Sequence, residues 1–494
     1  MGIIKSLEDV SEHHNISINE ELYDNIRKWL DIYKGYHEDI HKVKYHTIGG
    51  GSNTRRKMTL NIAKTSAQEM ASLIYNERCE ISIGDGENDT AIFVHAVLAD
   101  NDFDRKFQDH LEYMFAMGGA IIKPYYDSST DSIKIAFIDA LSFVPTKWSN
   151  DTIKEGVFIN EFYDTKSGKR KKYTHLEWHL QSTDSEGREG YTIKHELYES
   201  TDKNDLGIRI PLSTYYPNLK DEIGIHPLSE PLFIYTRPNT ANQIDIKSPL
   251  GVSIFSNAID TLNMIDTAYD SLHREFRLGK KRILVPASMV QSTYDPKTGE
   301  MHRYFDPTDE TYEAFDSGDM DSTALKDIST TLRVEEHISA INALLNWYAM
   351  QTGFSAGTFT FDGQSVKTAT EVISENSKTF KSKQSHEILV ESSIKHMVRS
   401  IINLAELYDL ADLDNEIDIK VSFDDSVAED KTSEINKQIQ LVQAELQSKQ
   451  RAISIIQGVT QEEALSIMEE IRDERERMLP DMDDIDSMMF GGSE

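Results

Sequence analysis

The sequence lacks the features that mark disulfide-stabilised and membrane-spanning proteins. One cysteine in 494 residues, Cys79, excludes an intrachain disulfide framework, so we expect a reducing compartment. No apolar run approaches the roughly 18 residues needed to cross a bilayer. No positively charged start leads into an apolar signal segment. These absences predict a soluble protein with no membrane partner.

Positive charge is also scarce. The chain carries 84 acidic and 52 basic residues, for a net charge of −32. This balance argues against a surface that wraps nucleic acid, because phosphate binding needs lysine and arginine. Residues 401–494 hold 24 acidic and 8 basic residues, a balance of −16 and half of the total. We interpret this part of the chain as an acidic module.

Catalytic patterns are nearly missing. Neither the nucleotide-binding pattern GxxxxGK[ST] nor the hydrolase pattern GxSxG occurs, and no base is evident for Cys79. His37 and His41 lie within HEDIH, which matches the zinc-protease pattern of two ligands one helical turn apart with Glu38 as base. The charged neighbours of this motif favour a solvated helix end. We therefore expect no metal, no cofactor and no enzymatic activity.

An apolar stripe predicts a packed helix at residues 252–278. Its apolar positions alternate at spacings of three and four, which places them on one helical face. Periodicity alone leaves open whether this face packs within the chain or against another copy. The residues assigned to the stripe are Phe255, Leu262, Ile265, Tyr269, Leu272 and Phe276.

A second helix, a glycine-containing loop and a long third helix follow. Apolar residues at helical spacing predict a helix that ends near Gln351, and the glycines of residues 353–367 interrupt any helical register. Thr368 and Glu371 have the spacing of a capping box. The next helix meets no glycine or proline until past Tyr408, so we expect about 40 residues, or roughly 60 Å.

The remaining pattern is that of an α+β protein. Short β-type runs separated by turn clusters predict antiparallel pairing rather than crossover helices. Predicted helices cover 21–43, 60–74, 103–117, 429–449, 452–457 and 461–477. Predicted strands cover 120–126, 133–138, 157–163, 173–180, 191–198, 282–285, 303–305 and 417–423.

Several stretches resemble the portal proteins of tailed double-stranded-DNA bacteriophages, of the siphophage type. The strongest are residues 248–255 (SPLGVSIF) leading into 265–272 (IDTAYDSL), and residues 353–359 (GFSAGTF) through 367–372 (KTATEV). Weaker support comes from 29–35, 59–63, 139–145 and 421–425. None of these stretches is a catalytic fingerprint.

The resemblance implies a portal-type multidomain α+β subunit that assembles into a ring, a dodecamer, with a central DNA channel. It implies an N-terminal wing (1–247), a stem helix (248–278), a β-rich clip (279–326), a second stem helix (327–352), a tunnel loop (353–367), a long wing helix (368–410) and an acidic, mostly helical crown (411–494).

The resemblance also implies sites and partners. The tunnel loop would line the channel with Gly353, Ser355, Gly357, Thr358, Phe359, Thr360, Phe361, Asp362, Gly363, Gln364, Ser365 and Lys367, and the clip would present Lys280, Lys281 and Arg282. Expected partners are other copies of the chain, double-stranded DNA bound without sequence specificity, the large terminase subunit, the major capsid and scaffolding proteins, and a head-completion or adaptor protein. The expected location is the capsid portal vertex of the virion, and the host cytoplasm during assembly. The alternative is a scaffolding or adaptor protein of the virion that self-associates without a DNA channel.

Overall fold

The computed structural model describes most of the chain. The described residues are 19–46, 51–84, 86, 88–164, 171–202, 205–279, 283–286, 292–294, 301–303, 312–315, 326–327, 331–361, 369–414, 417–423, 431–457 and 459–478. They divide into two compact units. The first comprises 1–363 and 378–424, and the second comprises 364–377 and 425–494.

Helices and strands alternate irregularly along the chain, which confirms the α+β class. The helices are α1 (Glu20–Tyr33), α2 (Glu38–His41), α3 (Ile62–Ile74), α4 (Asp89–Asp100), α5 (Phe103–Met117), α6 (Ile259–Leu278), α7 (Val334–Gln351), α8 (Ala369–Leu407), α9 (Lys431–Gln443), α10 (Lys449–Gln457) and α11 (Gln461–Met478).

The strands up to residue 236 include the five predicted from the sequence. They are β1 (Lys42–His46), β2 (Ser52–Arg56), β3 (Glu80–Ile83), β4 (Ala120–Asp127), β5 (Ser132–Asp139), β6 (Phe143–Ser149), β7 (Thr152–Asp164), β8 (Lys171–Thr183), β9 (Glu189–Ser200), β10 (Ile208–Ile210), β11 (Glu222–Ile225) and β12 (Ile234–Thr236). The largest sheet has the order β10-β9-β8-β7-β6, with β11 also paired to β9. Its pairings are all antiparallel, as predicted.

The region predicted as the clip is rich in strands. These are β13 (Ile283–Pro286), β14 (Ser292–Tyr294), β15 (Met301–Arg303), β16 (Tyr312–Phe315) and β17 (Lys326–Asp327). The β13 strand pairs in parallel with β16 and antiparallel with β17. The predicted strand at 303–305 begins earlier than expected, at Met301, and residues 304 and 305 lie outside the described residues.

The predicted helix at 21–43 is wrong in its second half. Helix α1 ends at Tyr33, and Gly35 follows with a φ of +80°, a left-handed conformation that glycine adopts without strain. After the single turn of α2, the chain forms the antiparallel hairpin β1–β2. The apolar residues that suggested the helix, from Leu22 to Tyr33, all lie in α1, and the prediction extended it too far past Gly35.

Helix α6 also begins later than predicted, at Ile259 rather than 252. Residues 252–254 instead pass across the end of α5, where the Ile254 amide donates to the Phe115 carbonyl at 3.1 Å. Gly118 ends α5 with a φ of +86°, and a Cβ there would lie 2.6 Å from the backbone of Val252. This close approach requires glycine and keeps the 252–254 segment extended.

Helices α6 and α7 pack antiparallel. The side-chain amide of Asn257, just before α6, donates to the carbonyl of Gln351 at the end of α7 at 3.3 Å. At the other end, Arg333, just before α7, binds Glu275 near the end of α6. The second stem helix predicted at 327–352 is thus shorter than expected, because residues 326–327 form β17.

The long helix after the loop is confirmed. Helix α8 spans 39 residues, close to the 40 expected. In its second half Val390, Ile394, Met397, Val398 and Ile401 are fully buried in the core of the first unit. Thr368, the expected cap, lies outside the described residues.

The boundary of the predicted crown falls later than expected. Strand β18 (Ile419–Ser422) pairs antiparallel with β3, so residues 411–423 belong to the first unit. The helices α9, α10 and α11 form the described part of the second unit after residue 425, and of these α11 carries a net negative charge. Here three helices are found where three were predicted, although α9 ends earlier, at Gln443.

Candidate functional site

The candidate site is the α6–α7 helix pair together with the segments bound to its two ends. At one end, α6 presents Asp266 and Asp270 one helical turn apart, and both are buried. Asp270 accepts two hydrogen bonds from the Arg55 guanidinium, at 2.7 and 2.6 Å, and one from the Met58 amide at 3.1 Å. This bidentate ion pair fixes the end of β2 on α6.

Asp266 extends the same cluster. It accepts from the Leu60 amide at 3.0 Å, and its other oxygen lies 3.1 Å from Nε2 of His41. Next to it, the Lys57 ammonium donates to the Thr267 hydroxyl at 3.0 Å. The residues between His41 and Leu60 are therefore bound along one polar face of α6.

Burial and charge act against each other in this cluster. Burial would raise the pKa of Asp270, but the hydrogen bonds from Arg55 and Met58 outweigh it and hold the pKa below its usual value. Burial lowers the pKa of Lys57, partly offset by Asp266 and Asp270. The two buried carboxylates, Asp266 and Asp270, are tolerated because neighbouring groups compensate their charge. These groups are the side chains of His41, Arg55 and Lys57 and the amides of Met58 and Leu60.

The HEDIH motif belongs to this cluster and is not a solvated helix end. His41 is 1% exposed and its Nδ1 accepts from the His37 amide at 2.8 Å, while Nε2 faces Asp266. The helix is only the four residues of α2. Among the described residues no group of three or more His, Cys, Asp or Glu side chains is arranged to hold a metal ion. In this structure His41 contacts α6 through Asp266.

The loop after α7 is anchored over its first nine residues. Its amides are bound by side chains of the flanking helices: Gly357 donates to Asn346 at 2.7 Å and Phe361 donates to Asn342 at 3.1 Å, both on α7. Ser355 donates through its amide to the Thr379 hydroxyl on α8 at 2.8 Å. The glycines interrupt the helical register as predicted, and side chains of α7 and α8 fix residues 353–361 at several points.

Aromatic packing fixes the same loop. Phe354 is fully buried, and its ring meets that of Phe359 edge to face with centroids 5.0 Å apart. Phe359 also lies 6.0 Å from the ring of Tyr348, whose hydroxyl is 2.6 Å from that of Ser66 on α3. By contrast, Phe361 is 58% exposed. Phe359 therefore anchors the loop, whereas the side chain of Phe361 is exposed.

A polar cavity of about 480 Å³ opens beside the start of the loop. Gly353, with a φ of +87°, lies on its wall, and a Cβ there would be 2.8 Å from the Ser382 hydroxyl. Lys378 and Lys381 also line it. Behind them His386 accepts from the Asn239 amide at 2.9 Å, and burial lowers its pKa to about 4, so this ring is neutral at pH 7.

The opposite end of the helix pair is open to solvent. Arg333 forms two hydrogen bonds to Glu275, at 3.1 and 3.0 Å, with the Arg333 side chain 67% exposed. Phe276 and Leu278 are each about half exposed, and Leu332 is also exposed. No ion pair of this end is buried within the part of the chain that the structure describes.

The predicted stripe is therefore divided along its length. Phe255, Leu262 and Ile265 are buried within the subunit, Tyr269 and Leu272 are half-buried, and Phe276 is exposed. The other predicted site residues, Asp362, Gly363, Gln364, Ser365 and Lys367 of the loop and Lys280, Lys281 and Arg282 of the clip, lie outside the described residues.

Sequence reasoning missed the polar face of α6. Asp266 and Asp270 stand between the apolar positions, and their spacing of four was the available signal, because it places two carboxylates on one helical face. Asn342 and Asn346 on α7 repeat that spacing and bind the loop. In each case the pattern does not reveal the partner, since the partner is distant in the sequence.

The described helices include none that combines the length and apolar character required to cross a membrane.

The comparison with known families defines the class of this protein. A family profile matches residues 12–477, nearly the whole chain, and its description is that of a phage portal protein. Portal proteins are structural, non-enzymatic components of phage particles that assemble as oligomeric rings. This chain belongs to the phage portal protein family of the SPP1 Gp6-like type.

Two further comparisons add little. No curated protein sequence is significantly similar to this chain. Among solved structures, the chain is similar to one from a structure described as the neck of an empty GTA particle computed with C6 symmetry, with a TM-score of 0.42 and 10% identity. The alignment covers 81% of this chain and 90% of that one.

Proposed function

We propose that this chain forms a dodecameric ring at one vertex of the capsid, through which double-stranded DNA passes during packaging and ejection. The ring also serves as the docking platform for the large terminase subunit, for the head-completion or adaptor protein, and for the capsid and scaffolding proteins during assembly in the host cytoplasm. The family match over residues 12–477 carries this proposal.

In this proposal each part of the subunit has a separate role in the ring. Helices α6 and α7 form the stem around the channel, and the strand-rich residues 279–326 form the clip. The loop at 353–367 lines the narrowest part of the channel, and the acidic residues after 425 form the crown. The continuous order of α6, clip strands, α7, loop and α8 along the chain supports this division.

The anchored part of the loop suggests how it meets DNA. Residues 353–359 are held by Thr379, Asn346 and the buried Phe354, whereas Phe361 is exposed at the described end of the loop. A side chain on a fixed support can contact a passing duplex without unfolding its neighbours. The loop residues 353–361 carry no charge, so contact with phosphates is neutral.

The charge of the chain fits a channel that does not hold DNA tightly. Each phosphate neutralised by lysine or arginine adds affinity through counterion release, and that affinity has to be overcome at every step of translocation. A net charge of −32 opposes such binding. Within a Debye length of about 8 Å, an acidic wall repels phosphates and keeps a duplex centred.

Ring formation is the first test. Purified chain is analysed by size-exclusion chromatography with light scattering and by negative-stain microscopy. Closed rings with an axial hole are expected. Filaments, sheets or irregular clusters would favour the scaffolding or adaptor function instead.

The DNA function of the loop is the second test. We expect Phe361→Ala to form normal rings and to reduce DNA uptake or retention in a packaging assay with procapsids, terminase and ATP. The matched control is Ile246→Ala, which also truncates an exposed apolar side chain, 87% exposed, outside the proposed channel. Packaging at the wild-type rate by both variants would show that Phe361 has no part in DNA passage.

A further inference from the structure

We propose that the β1–β2 hairpin is a basic docking surface for a second copy of this chain, which binds it through an acidic surface. This inference rests on the proposed ring and names one of the contacts that hold its subunits together. Neither the sequence patterns nor the family match assigns a role to this hairpin.

The charge of the hairpin is opposite to that of the chain. Residues 42–57 contain five lysines and arginines and no aspartate or glutamate. With those five charges set aside, the net charge of −32 becomes −37 for the rest of the chain. Such a concentrated basic segment on an acidic protein is complementary to most of the surface of another copy.

The outward face of the hairpin carries much of this charge. Alternation along the strands places Lys42, Lys44 and His46 on one face, opposite Arg56, Thr54 and Ser52 in the register. All six residues are exposed. Lys42 stands directly across from Arg56, and like charges in that position destabilise a strand pair. An anionic partner would relieve this repulsion.

The other face of the hairpin is fixed to the subunit. Arg55 points the opposite way from Arg56 and makes the bidentate ion pair with the buried Asp270 of α6. The Arg56 guanidinium lies over the Tyr36 ring, 5.5 Å from its centroid, and donates to the Gly35 carbonyl at 2.8 Å. The outward charges are therefore preorganised, which lowers the entropic cost of binding.

Some of the outward charge is not in an ion pair with the described residues, although Lys44 interacts electrostatically with Glu38. Lys42 binds Glu38, but no ion pair is formed by Lys44 or Arg56 with the described residues. The hairpin is also a sheet of two strands only, with neither outer edge paired to another described strand. Because α6 holds one face of the hairpin, its outward face and its two edges remain available. Both observations are compatible with a partner outside the subunit.

A second copy fits this surface better than DNA does. A closed ring needs two different surfaces on each subunit, one for each neighbour. A basic hairpin and an acidic surface elsewhere on the same chain meet that requirement. Preorganised cations directed at DNA would instead bind phosphates and resist translocation.

The test uses a double variant of the full chain, Lys44→Glu with Thr54→Glu. These residues face each other on the outward face, and neither makes a side-chain bond that folding needs among the described residues. The matched control is Lys64→Glu with Thr65→Glu on the exposed side of α3, which changes the same residue types and the same net charge. Circular dichroism and thermal melting establish that both variants are folded.

The measured quantity is the fraction of chain in rings as a function of protein and salt concentration, by mass photometry. We expect the hairpin variant to need at least about tenfold more protein for ring formation, since apposed like charges oppose association strongly. Wild-type rings should weaken as salt rises, whereas the control should behave as wild type. A Lys44→Arg variant, which keeps the charge, should also behave as wild type.

Three results would overturn the inference. Equal ring formation by the hairpin variant and wild type would remove the hairpin from the interface, and equal weakening by the control would assign the effect to net charge. Loss of binding to a short DNA duplex with rings intact would identify DNA as the partner. If the wild-type chain forms no rings under any condition, the proposed function itself fails, which is a distinguishable outcome.

Mixing gives an independent measurement. A hairpin-variant subunit retains its acidic surface, so it should bind one neighbour and fail to bind the next. Adding it to wild-type chain should therefore produce open arcs and lower the ring yield in proportion to its fraction. The control variant should enter rings without reducing their yield.

Discussion

The two ends of the α6–α7 helix pair differ in whether their charged and apolar side chains are buried or exposed. At the first end, near residues 257–270 of α6 and 341–361 of α7, charges are buried and paired and the loop aromatics are packed. At the second end, near 275–278 and 332–338, Glu275 pairs with the exposed Arg333 and lies 3.9 Å from His337, and apolar side chains face solvent. The first end buries its charged and aromatic side chains within one subunit, and the second leaves apolar side chains exposed.

The difference separates folding from assembly. Arg55 donates two short hydrogen bonds to the buried Asp270, so loss of either partner leaves a charge without compensation. Arg333 and Glu275 form the same geometry in water, where an ion pair contributes little. We infer that mutations at the first end affect the stability of the subunit, and that mutations at the second end affect its neighbours.

The largest loss of stability is expected for Asp270→Ala. It removes three hydrogen bonds and leaves Arg55 without its carboxylate partner. We expect the free energy of unfolding to fall by about 2 kcal/mol, below the 3–5 kcal/mol of a fully buried pair because water reaches the partly exposed Arg55. Urea denaturation at a concentration where the chain is monomeric measures this. The double variant Arg55→Met/Asp270→Ala should be more stable than Asp270→Ala alone, and an additive loss would contradict the pairing.

The same carboxylate should make stability depend on acid. Because the pKa of Asp270 is held below its usual value, its contribution is present above the unfolded pKa of about 3.9 and is lost as the pH falls through the lower folded pKa. In Asp270→Asn this acid-dependent part should disappear. An unchanged profile below pH 4 would show that Asp270 is not ionised in the folded subunit.

A smaller loss is expected for Phe359→Ala in the loop. Phe359 is half-buried against Phe354 and Tyr348, so truncation should cost about 1–2 kcal/mol, less than for a fully buried ring. Phe361→Ala is the matched control and should change stability little because the ring is exposed. Equal effects of the two variants would mean that the loop is not anchored as the structure shows.

The sequence was sufficient for the elements that carry periodicity and clear ends. The long α8, the five strands between residues 120 and 200, and the end of α5 at Gly118 were all predicted, because each has a regular pattern bounded by turn residues. Helix α4 was not, since its apolar residues surround the helix: Val94 is buried while Ile92 is 61% exposed. Because α4 has no polar face, its sequence shows no helical periodicity from which the helix could be predicted.

The site was less predictable because its contacts are long-range. Asp270 binds a residue 215 positions earlier in the chain, and His41 meets Asp266 across 225 positions. No local pattern encodes such a pairing. The loop glycines indicated the turns correctly, but the amides bound by Asn342 and Asn346 depend on how the chain folds back over α7. The anchoring of the loop could therefore not be predicted from its glycines.

A still smaller effect on stability is expected for Arg333→Ala at the second end. The guanidinium is mostly exposed, so the unfolding midpoint should stay within error of wild type, and raising the salt concentration should remove any difference. Glu275→Ala should behave in the same way. A destabilisation as large as that of Asp270→Ala would show that the two ends do not differ.

The smallest effect on the subunit, with a large effect on the ring, is expected for Phe276→Asp. Leu262, another residue of the apolar stripe, is unsuitable for this test because it is 4% exposed and a charge there would disturb folding. Phe276 is half exposed in the single subunit, so aspartate at this position remains in water and the unfolding midpoint should not change. If the second end packs against a neighbour, the same charge is buried without a partner on assembly. Rings should then fail to form, as seen by mass photometry and negative-stain microscopy.

Phe276→Leu is the control for this variant, because it keeps an apolar side chain and should assemble. Rings formed by Phe276→Asp at wild-type concentrations would place this side chain in solvent in the assembly. The exposed end would then have to be covered by the docking protein, and binding of that protein, rather than ring formation, would be lost in the variant. If the variant retained both ring formation and binding of the docking protein, the second end would have no role in assembly.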